Sequence, residues 1–174
     1  MPITTYAELK TNIAEFLNRD DVAAISSTFI SLAEDDLNLR LRHWRQEKRS
    51  TAEIDTQYSA IPADMLEVIR FYITSGDTRP LELISQSEML DRKFRNLNTS
   101  GQPAYYALTA GELEVYPVPD GTYTSELYYY SRIPALSDSN TTNWVLDYYS
   151  SAYLYGSLIH SAPYLKDDAR IQVW

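Results

Sequence analysis

The chain opens with apolar residues at helical spacing behind a helix-start signal. Thr5 and Glu8 stand three residues apart, the spacing of a capping box in which each side chain bonds the other residue's backbone amide. An apolar stripe follows at the positions Tyr6, Leu9, Ile13, Phe16 and Leu17. Because these positions fall on one side of a helix, the pattern predicts a first helix over residues 6–17.

A second, longer helix is predicted from about residue 22 to about residue 42. The polar run 18–21 ends the first helix, and Asp21 is the expected N-cap of the second. The apolar residues of the second helix fall on two neighbouring faces: Val22, Ile25, Phe29 and Leu32 on one, and Ile30, Leu37 and Leu41 on the other. Acids at 34–36 precede Arg40 and Arg42, an order that suits ion pairs along the helix and its dipole.

From Ser50 the hydrophobic period changes to two, which is typical of strands. Strands are predicted over residues 68–73, 80–84, 104–109, 112–118 and 122–130. A short helix is predicted from an N-cap at Ser85 to about residue 97, with a second capping box to Glu88. In the strand 112–118, alternation places Leu113 and Val115 on one face and Glu112, Glu114 and Tyr116 on the other.

The C-terminal stretch is apolar on more than one side. Asp147 is the expected N-cap of its helix, and Pro163 is expected to end that helix. Three faces follow from helical spacing: Tyr148, Ala152, Tyr155 and Ile159; then Ser151, Leu154, Leu158 and Ala162; then Tyr149 and Tyr153. A helix with several apolar faces is buried on several sides, so we expect it to pack on its own chain and on a partner.

The order of these elements predicts an α+β protein. Helices lie at both ends, and a β-rich stretch of antiparallel character lies between them. We therefore expect a helical bundle base formed by residues 1–47 and 133–174, with an inserted antiparallel β-rich domain over 48–132. The exposed sheet edges of such an insert need covering, and association with other chains is one way to cover them.

The composition excludes some classes of function and disfavours others. The chain has 174 residues, no cysteine and a formal net charge of −9, which exclude disulfides and thiolate chemistry and disfavour general nucleic-acid binding. No signal peptide and no apolar run long enough for a bilayer are seen. The 15 tyrosines are the unusual feature. They fit half-buried strand faces, and they also fit a contact surface for other subunits or for a sugar.

One segment reverses the acidic balance: five of the 15 basic residues lie between Arg40 and Arg49. The simpler interpretation is a solvated helix end paired with nearby acids. The functional interpretation is a contact with DNA phosphates or an acidic partner, anchored by Trp44. The last residues open like another helix and then stop, so this end is expected to continue or to dock on a partner. The candidate protein-contact residues are Arg40, Arg42, Trp44, Arg45, Arg49, Tyr149, Tyr153 and Trp174.

No catalytic or metal motif is found. The two histidines, His43 and His160, have no companions at metal-ligand spacing, and the five glycines form no phosphate-binding loop. Glu112 and Glu114 share a strand face, as paired carboxylates of an acid–base site would, but nothing reactive accompanies them. We therefore predict no enzymatic activity and no cofactor or metal.

Several stretches together resemble the head-to-tail adaptor proteins of tailed bacteriophages, also called head-completion or connector proteins. No single stretch is specific, but their order is, and it runs over nearly the whole chain. The stretches are residues 5–9, 16–21, 29–34, 37–40, 61–65, 80–82, 111–115, 117–121, 129–138, 143–146, 153–156 and 162–168. Members of this family usually carry a longer final helix than this chain has.

The resemblance implies a non-catalytic virion protein of the neck, present in the host cytoplasm during assembly. It implies a ring, usually dodecameric, beneath the portal protein, formed from a chain that can be monomeric when free. Such a ring extends the channel for genomic DNA, without sequence-specific binding, and carries the tail nozzle or the tail or fibre proteins. A ring needs two different contact faces on each copy.

Two other functions remain open at this stage. The aromatic β insert also fits a carbohydrate- or receptor-binding module of a phage tail or fibre, which predicts aromatic rings exposed on one sheet face. A small hydrolase is supported only by the carboxylate pairs.

Overall fold

The computed structural model describes residues 3–96 and 99–165. Its four helices are α1 (Tyr6–Leu17), α2 (Ser26–Arg40), α3 (Gln86–Arg95) and α4 (Trp144–Leu165). Its eight strands are β1 (Glu47–Ile54), β2 (Tyr58–Ala60), β3 (Met65–Ile73), β4 (Arg79–Pro80), β5 (Glu82–Leu83), β6 (Tyr105–Thr109), β7 (Glu112–Tyr116) and β8 (Tyr123–Ser131). The predicted α+β class is confirmed.

The fold separates into two compact units. The first, here the helical unit, contains the residues up to Arg45 and those from Ile133 onward; the second, the β unit, is Gln46–Arg132. α1, α2 and α4 therefore share one unit, and every strand lies in the other.

The helical unit is built around the apolar sides of its three helices. α1 begins at the predicted capping box, where Thr5 accepts from the amide of Glu8 and the Glu8 carboxylate accepts from the amide of Thr5. It ends at Asn18, whose left-handed backbone (φ 51°) suits a helix C-cap. The core of the unit is formed by Tyr6, Leu9, Ile13, Leu17, Val22, Phe29, Ile30, Ile133, Leu136, Val145, Leu146, Tyr153, Leu154 and Leu158.

The predicted start of α2 is wrong. Asp20–Val22 forms a separate 3-10 turn, and α2 begins only at Ser26, without a side-chain cap from Ile25. Val22 packs into the core, as its apolar side chain indicates, but it does so from this turn and not from the helix. Glu34 and Asn38 are also buried on α2, although the hydrophobic pattern does not predict polar residues in the core.

The β unit contains two four-stranded sheets. One has the order β1-β8-β3-β4 and the other β2-β7-β6-β5, with all pairs antiparallel except β5 with β6. The predicted strand 80–84 is in fact two strands, since Arg79–Pro80 pairs with β3 and Glu82–Leu83 pairs with β6. Leu81, buried between them, marks the point where the chain changes sheet.

The predicted meander is present with shorter strands. β6 and β7 are joined by Ala110 and Gly111, both with positive φ (51° and 85°), as a two-residue hairpin turn of the type I′ class requires. β7 ends at Tyr116 and not at residue 118, because Pro117 cannot donate to a ladder. α3 begins at the predicted N-cap Ser85, although the Glu88 side chain bonds Arg92 instead of completing the capping box.

Candidate protein-contact surface

The start of α4 is fixed by an asparagine and not by the predicted Asp147. Asn143 Oδ1 accepts from the amides of Val145 (3.1 Å) and Leu146 (3.0 Å), two groups that a helix start leaves without partners. Asp147 lies one turn further on and accepts from the Thr142 hydroxyl. The helix therefore begins four residues earlier than the sequence indicated.

α4 is also not a single regular helix. Tyr149 has a non-helical backbone (φ −140°, ψ 46°), which kinks the element after its first turn. At the far end, Pro163 lies inside the helix, which continues to Leu165. The prediction that Pro163 ends the helix is therefore wrong: near a helix end, proline removes a single backbone bond and the last turn persists.

The kink brings Tyr149 and Trp144 against the segment that follows α2. His43 stacks on Trp144, with ring centres 5.1 Å apart and planes at 16°, and Tyr149 meets both rings edge-on. Trp44 lies 5.6 Å from His43. These contacts build one continuous stack from two segments that are about one hundred residues apart in the sequence.

Arg45 completes the stack. Its guanidinium lies 4.6 Å from the ring centre of Trp44 and 4.0 Å from that of Tyr148, so the cation is held between two aromatic faces. Such contacts contribute about 0.5–1 kcal/mol each at exposed sites. We call the six residues His43, Trp44, Arg45, Trp144, Tyr148 and Tyr149 the Trp44 cluster. Trp44 itself is 65% exposed, so the cluster presents a large aromatic surface to solvent.

α4 also carries exposed apolar side chains, of which Tyr148 lies before the kink and Tyr155 and Ile159 lie beyond it. Tyr148, Tyr155 and Ile159, which the sequence placed on one helix face, are all exposed, and Ala152 between them is half-buried. We call these four residues the α4 face. The opposite side, with Leu154, Leu158 and Ala162, is buried in the helical unit, while Ser151, assigned to that side by spacing, is exposed. Exposed aromatic and aliphatic residues concentrated on one helix are typical of a protein contact.

An apolar groove of about 270 Å³ runs between α2 and α4. Its floor is made by small residues, because a Cβ on Gly156 would approach the Cβ of Ala33 to 3.1 Å. Leu37, Leu41, Asp36 and Arg40 also line the groove. The two helices pack closely here and leave a shallow slot that faces solvent.

Three of the predicted contact residues, Trp44, Arg45 and Tyr149, come together in the Trp44 cluster. Arg40 lines the groove, with its side chain mostly exposed and 3.8 Å from Asp36. Arg42 instead turns back onto its own chain and donates to the carbonyls of Asn38 and Leu41.

The basic run is not a single patch. Arg49 and Lys48 lie on β1, in the β unit, where Arg49 is 3.4 Å from Glu126 and Lys48 bonds Asp64. The boundary between the two units falls within the run, and these two cations each have an acid of their own. The solvated, paired interpretation therefore describes the β1 end of the run.

Tyr153 is removed from the predicted contact surface because it is buried, with 0% exposure. Its hydroxyl donates to Glu34 (3.1 Å) and accepts from Asn143 (2.7 Å). Helical spacing had correctly separated it from the two other faces of α4, but it could not tell which face points inward. Trp174, the last predicted contact residue, lies outside the residues that the structure describes.

Glu34 anchors the segment that leads into α4. Its Oε1 accepts from the Leu136 amide at 2.7 Å, and one turn later Asn38 Oδ1 accepts from the Ile133 amide at 2.9 Å. Burial raises the pKa of Glu34 above its ordinary value, and the hydrogen bonds from Leu136 and Tyr153 offset only part of that effect. These two polar residues of α2 therefore hold residues 133–136 in register.

Glu114, weighed as half of a catalytic pair, is buried with 0% exposure and not on a surface. It bonds Lys93 and accepts from the side chains of Gln57 (3.1 Å), Tyr58 (3.2 Å) and Gln86 (3.2 Å). Burial alone would raise its pKa, but the bonds from Lys93 and Gln86 and the charge of Lys93 outweigh it, so the pKa of Glu114 is lowered. Because α3 covers this face of β7, Glu114 ties the helix to the sheet, while Glu112 remains exposed.

Sequence reasoning missed several surface residues. Trp144 precedes the predicted helix and Tyr148 is only one position on its faces. No local feature of the sequence indicates the kink at Tyr149 or the contacts of these two rings with His43 and Arg45. Leu90 and Phe94 on α3 were not singled out either, although both are exposed. Their spacing of four residues on a short charged helix was the available signal.

Nothing in residues 3–96 and 99–165 groups three or more histidine and acidic side chains as a metal ion would require. Within the same ranges, no helix is both long enough and apolar enough to cross a membrane.

An α+β chain that exposes a stacked aromatic cluster and an apolar helix face belongs to the class of proteins that act through contacts with other proteins. The family model described as SU10 adaptor protein matches residues 4–174, so this chain belongs to the SU10 adaptor protein family. No curated protein matches the chain. The resemblance to phage head-to-tail adaptors is thereby confirmed: the chain is a phage adaptor, a structural component of the virion at the head–tail junction.

Proposed function

We propose that this chain is the subunit of a dodecameric ring beneath the portal protein, where it extends the DNA channel and forms the platform for tail attachment. In this proposal the helical unit is the base that holds neighbouring copies and the portal, and the β unit is turned toward the tail nozzle or fibre proteins. The free chain in the host cytoplasm is monomeric and assembles on the portal.

The observation that carries the proposal is the division of α4 into two apolar sides. Leu154 and Leu158 are buried in the helical unit, whereas Tyr155 and Ile159 are exposed on the α4 face. Exposing these side chains costs free energy in a lone subunit, at roughly 25 cal/mol for each Å² of apolar surface left in water. A surface of this kind on a member of an adaptor family is explained by a partner that covers it.

The charge of the chain supports a channel role without tight DNA binding. The net charge of −9 repels phosphates, so DNA can pass a ring of such chains without adhering to it. Lys48 and Arg49 pair with acids of the same unit, which leaves them less available to phosphate.

The direct test is assembly on a template. The purified chain is mixed with portal rings of the phage that encodes it, and the product is examined by native mass spectrometry and by electron microscopy. We expect a second ring with one defined copy number on one end of the portal. A portal that binds no adaptor at micromolar concentrations contradicts the proposal.

A pair of variants shows whether the α4 face carries the contact. In the first variant Tyr155 and Ile159 are both changed to Ser, which leaves the Trp44 cluster intact; in the matched control the exposed residues Thr51 and Glu53 of the β unit are changed to Ser. We expect the first variant to remain folded and to lose ring formation, and the control to keep it. Equal assembly of the two variants would exclude the α4 face as a contact.

The carbohydrate- or receptor-binding alternative receives less support. It requires several aromatic rings exposed on one sheet face, but Tyr106, Tyr116 and Tyr129 of the β unit are buried. Tyr58 of β2 is 44% exposed, but its hydroxyl donates to the buried Glu114. Tyr72 and Tyr128, on the outer face of the first sheet, stack on each other with ring centres 5.7 Å apart. A glycan array with specific hits would favour this alternative over the adaptor ring.

A further inference from the structure

α3 carries an exposed apolar pair on a firmly held helix. Leu90 and Phe94, one turn apart, are 43% and 73% exposed, while Met89 on the opposite side is completely buried. The bond from Lys93 to Glu114 and the position of Arg92 over the ring of Tyr105 (3.9 Å) fix the helix to its sheet. A pair held in this way loses little conformational freedom when it enters a pocket.

The groove between α2 and α4 has the dimensions and polarity to receive this pair. A cavity of about 150 Å³ lined by aliphatic residues is enough to hold benzene, and the groove measures about 270 Å³. The small residues Ala33, Ala152 and Gly156 line it, and Gly156 lets α2 and α4 pack closely at this point. The ring of Phe94 and the side chain of Leu90 therefore match an opening on the other unit of the same chain.

The charges beside the two surfaces are arranged in the same order. Asp36 and Arg40 line the groove four residues apart, and the exposed residues Asp91 and Arg95 directly follow Leu90 and Phe94 with the same spacing. Asp36 is 3.8 Å from Arg40 and 3.2 Å from His160, and its side chain is still 45% exposed. If the two helices lie antiparallel, Asp91 meets Arg40 and Arg95 meets Asp36; if they lie parallel, like charges meet.

From this match we infer that α3 of one copy docks antiparallel into the α2–α4 groove of the next copy. The two surfaces are different, so the contact is heterologous and repeats from copy to copy until a ring closes. The inference rests on the proposed ring and deepens it by naming the two faces that join neighbouring subunits. The exposed side chains of the α4 face and the Trp44 cluster are then left for the portal, on which the ring assembles.

The test uses cysteine cross-linking, which is clean because the chain has no cysteine of its own. Single-cysteine variants are mixed in pairs, with and without portal rings, and disulfide formation is followed on non-reducing gels. The antiparallel pairs are Asp91→Cys with Arg40→Cys and Arg95→Cys with Asp36→Cys. The matched control pairs, Asp91→Cys with Asp36→Cys and Arg95→Cys with Arg40→Cys, use the same four variants in the parallel register.

We expect both antiparallel pairs to cross-link at least about tenfold faster than the control pairs, since a disulfide needs Cα atoms within about 7 Å. Equal rates for the two sets would overturn the docking. If rings form on the portal while the rates are equal, the docking inference fails and the proposed function stands. If the antiparallel pairs cross-link and no portal is bound, the proposed function fails and the docking stands.

A second variant checks the apolar part of the contact. Phe94→Ser removes an exposed ring and leaves the fold intact, and Leu108→Ser removes an exposed side chain of β6 as its control. In the Arg95→Cys with Asp36→Cys mixture, we expect Phe94→Ser to slow cross-linking by at least about tenfold, the effect of losing 1.4 kcal/mol of binding. No slowing, or equal slowing by Leu108→Ser, contradicts the insertion of Phe94 into the groove.

Discussion

Glu34 in the helical unit and Glu114 in the β unit are both buried carboxylates, but they differ in their hydrogen-bond partners and in the direction of their pKa shifts. Glu34 accepts from a backbone amide and a tyrosine hydroxyl, whereas Glu114 bonds a lysine and three neutral donors. The pKa of Glu34 is raised by its burial, and the pKa of Glu114 is lowered because the lysine and the amides outweigh burial.

Despite this difference, the two carboxylates have the same role in the fold. Each carboxylate fixes a segment that presents an exposed apolar surface. Glu34 holds residues 133–136, which lead into α4 and its exposed face, and Glu114 holds α3 with Leu90 and Phe94. Buried polar groups of this kind specify a geometry more than they add stability. The comparison indicates that the interior of each unit is built to position a surface.

The largest effect is expected in the β unit from Lys93→Met. The change leaves the carboxylate of Glu114 buried without its cation, and breaking a buried pair in this way costs about 3 kcal/mol of unfolding free energy. Urea unfolding followed by circular dichroism measures it. Lys93→Met combined with Glu114→Gln should lose less than the sum of the two single changes. Additive losses would show that the two side chains are not coupled.

The corresponding change in the helical unit is Tyr153→Phe. It removes the hydroxyl that joins Glu34 to Asn143 and leaves both with an unmade bond, for a loss of about 1–2 kcal/mol. Tyr148→Phe, which removes the hydroxyl of an exposed tyrosine on the same helix, is the matched control and should be neutral. A neutral Tyr153→Phe would mean that the hydroxyl does not hold the segment.

The pH dependence of stability should differ in sign between the two carboxylates. Because the folded pKa of Glu34 is raised above 4.5, its favourable contribution is complete at lower pH and is lost as the pH rises through the folded value. Because the folded pKa of Glu114 is lowered below 4.5, its contribution is present above 4.5 and is lost as the pH falls through the folded value. The measurement is the unfolding free energy of the parent chain, Glu34→Gln and Glu114→Gln across this pH range. The difference between each variant and the parent should change with pH in opposite directions for the two variants.

In that series, Glu34→Gln imitates the protonated acid, so its stability relative to the parent should improve as the pH rises. Glu114→Gln should lose its disadvantage as the pH falls. Two differences with the same slope would show that the surroundings of the two carboxylates do not differ as described.

The smallest effect on stability is expected at the surface. Trp44→Ala removes an exposed ring, so the unfolding free energy should fall by no more than about 1 kcal/mol, mainly through the lost contact with Arg45. The same variant should bind portal rings more weakly in sedimentation. A large loss of stability with unchanged binding would make Trp44 a structural residue and not a contact.

The sequence predicted the elements with strong periodicity and missed those set by tertiary contacts. The capping box of α1, the α+β class and the hairpin at Ala110 and Gly111 were confirmed. The apolar stripe of α1 was confirmed except at Phe16, which is 46% exposed. The start of α2 was wrong because Val22 is buried from a turn, and the start of α4 was wrong because Asn143 caps it ahead of Asp147. Hydrophobic period and capping signals describe one segment at a time. They cannot decide between two possible caps, or between a helix and a turn, when tertiary contacts determine the outcome.

For the surface, the sequence located the region but not its members. Trp44, Arg45 and Tyr149 were predicted, and the kink that stacks them with His43 and Trp144 was not. Tyr153 was assigned to the contact because a helix with several apolar faces does not reveal which one is inward. Glu114 looked like a surface charge on an alternating strand, because the helix that covers it lies elsewhere in the chain.

The central claim is that this chain works as a ring-forming adaptor whose α4 face and Trp44 cluster are covered by other proteins. Electron cryo-microscopy of the neck of the phage that encodes it tests this most directly. The account predicts a closed ring of this chain below the portal, with Trp44, Tyr155 and Ile159 buried against a neighbouring chain. A neck in which the chain is absent, or in which these three side chains all remain in solvent, would contradict it.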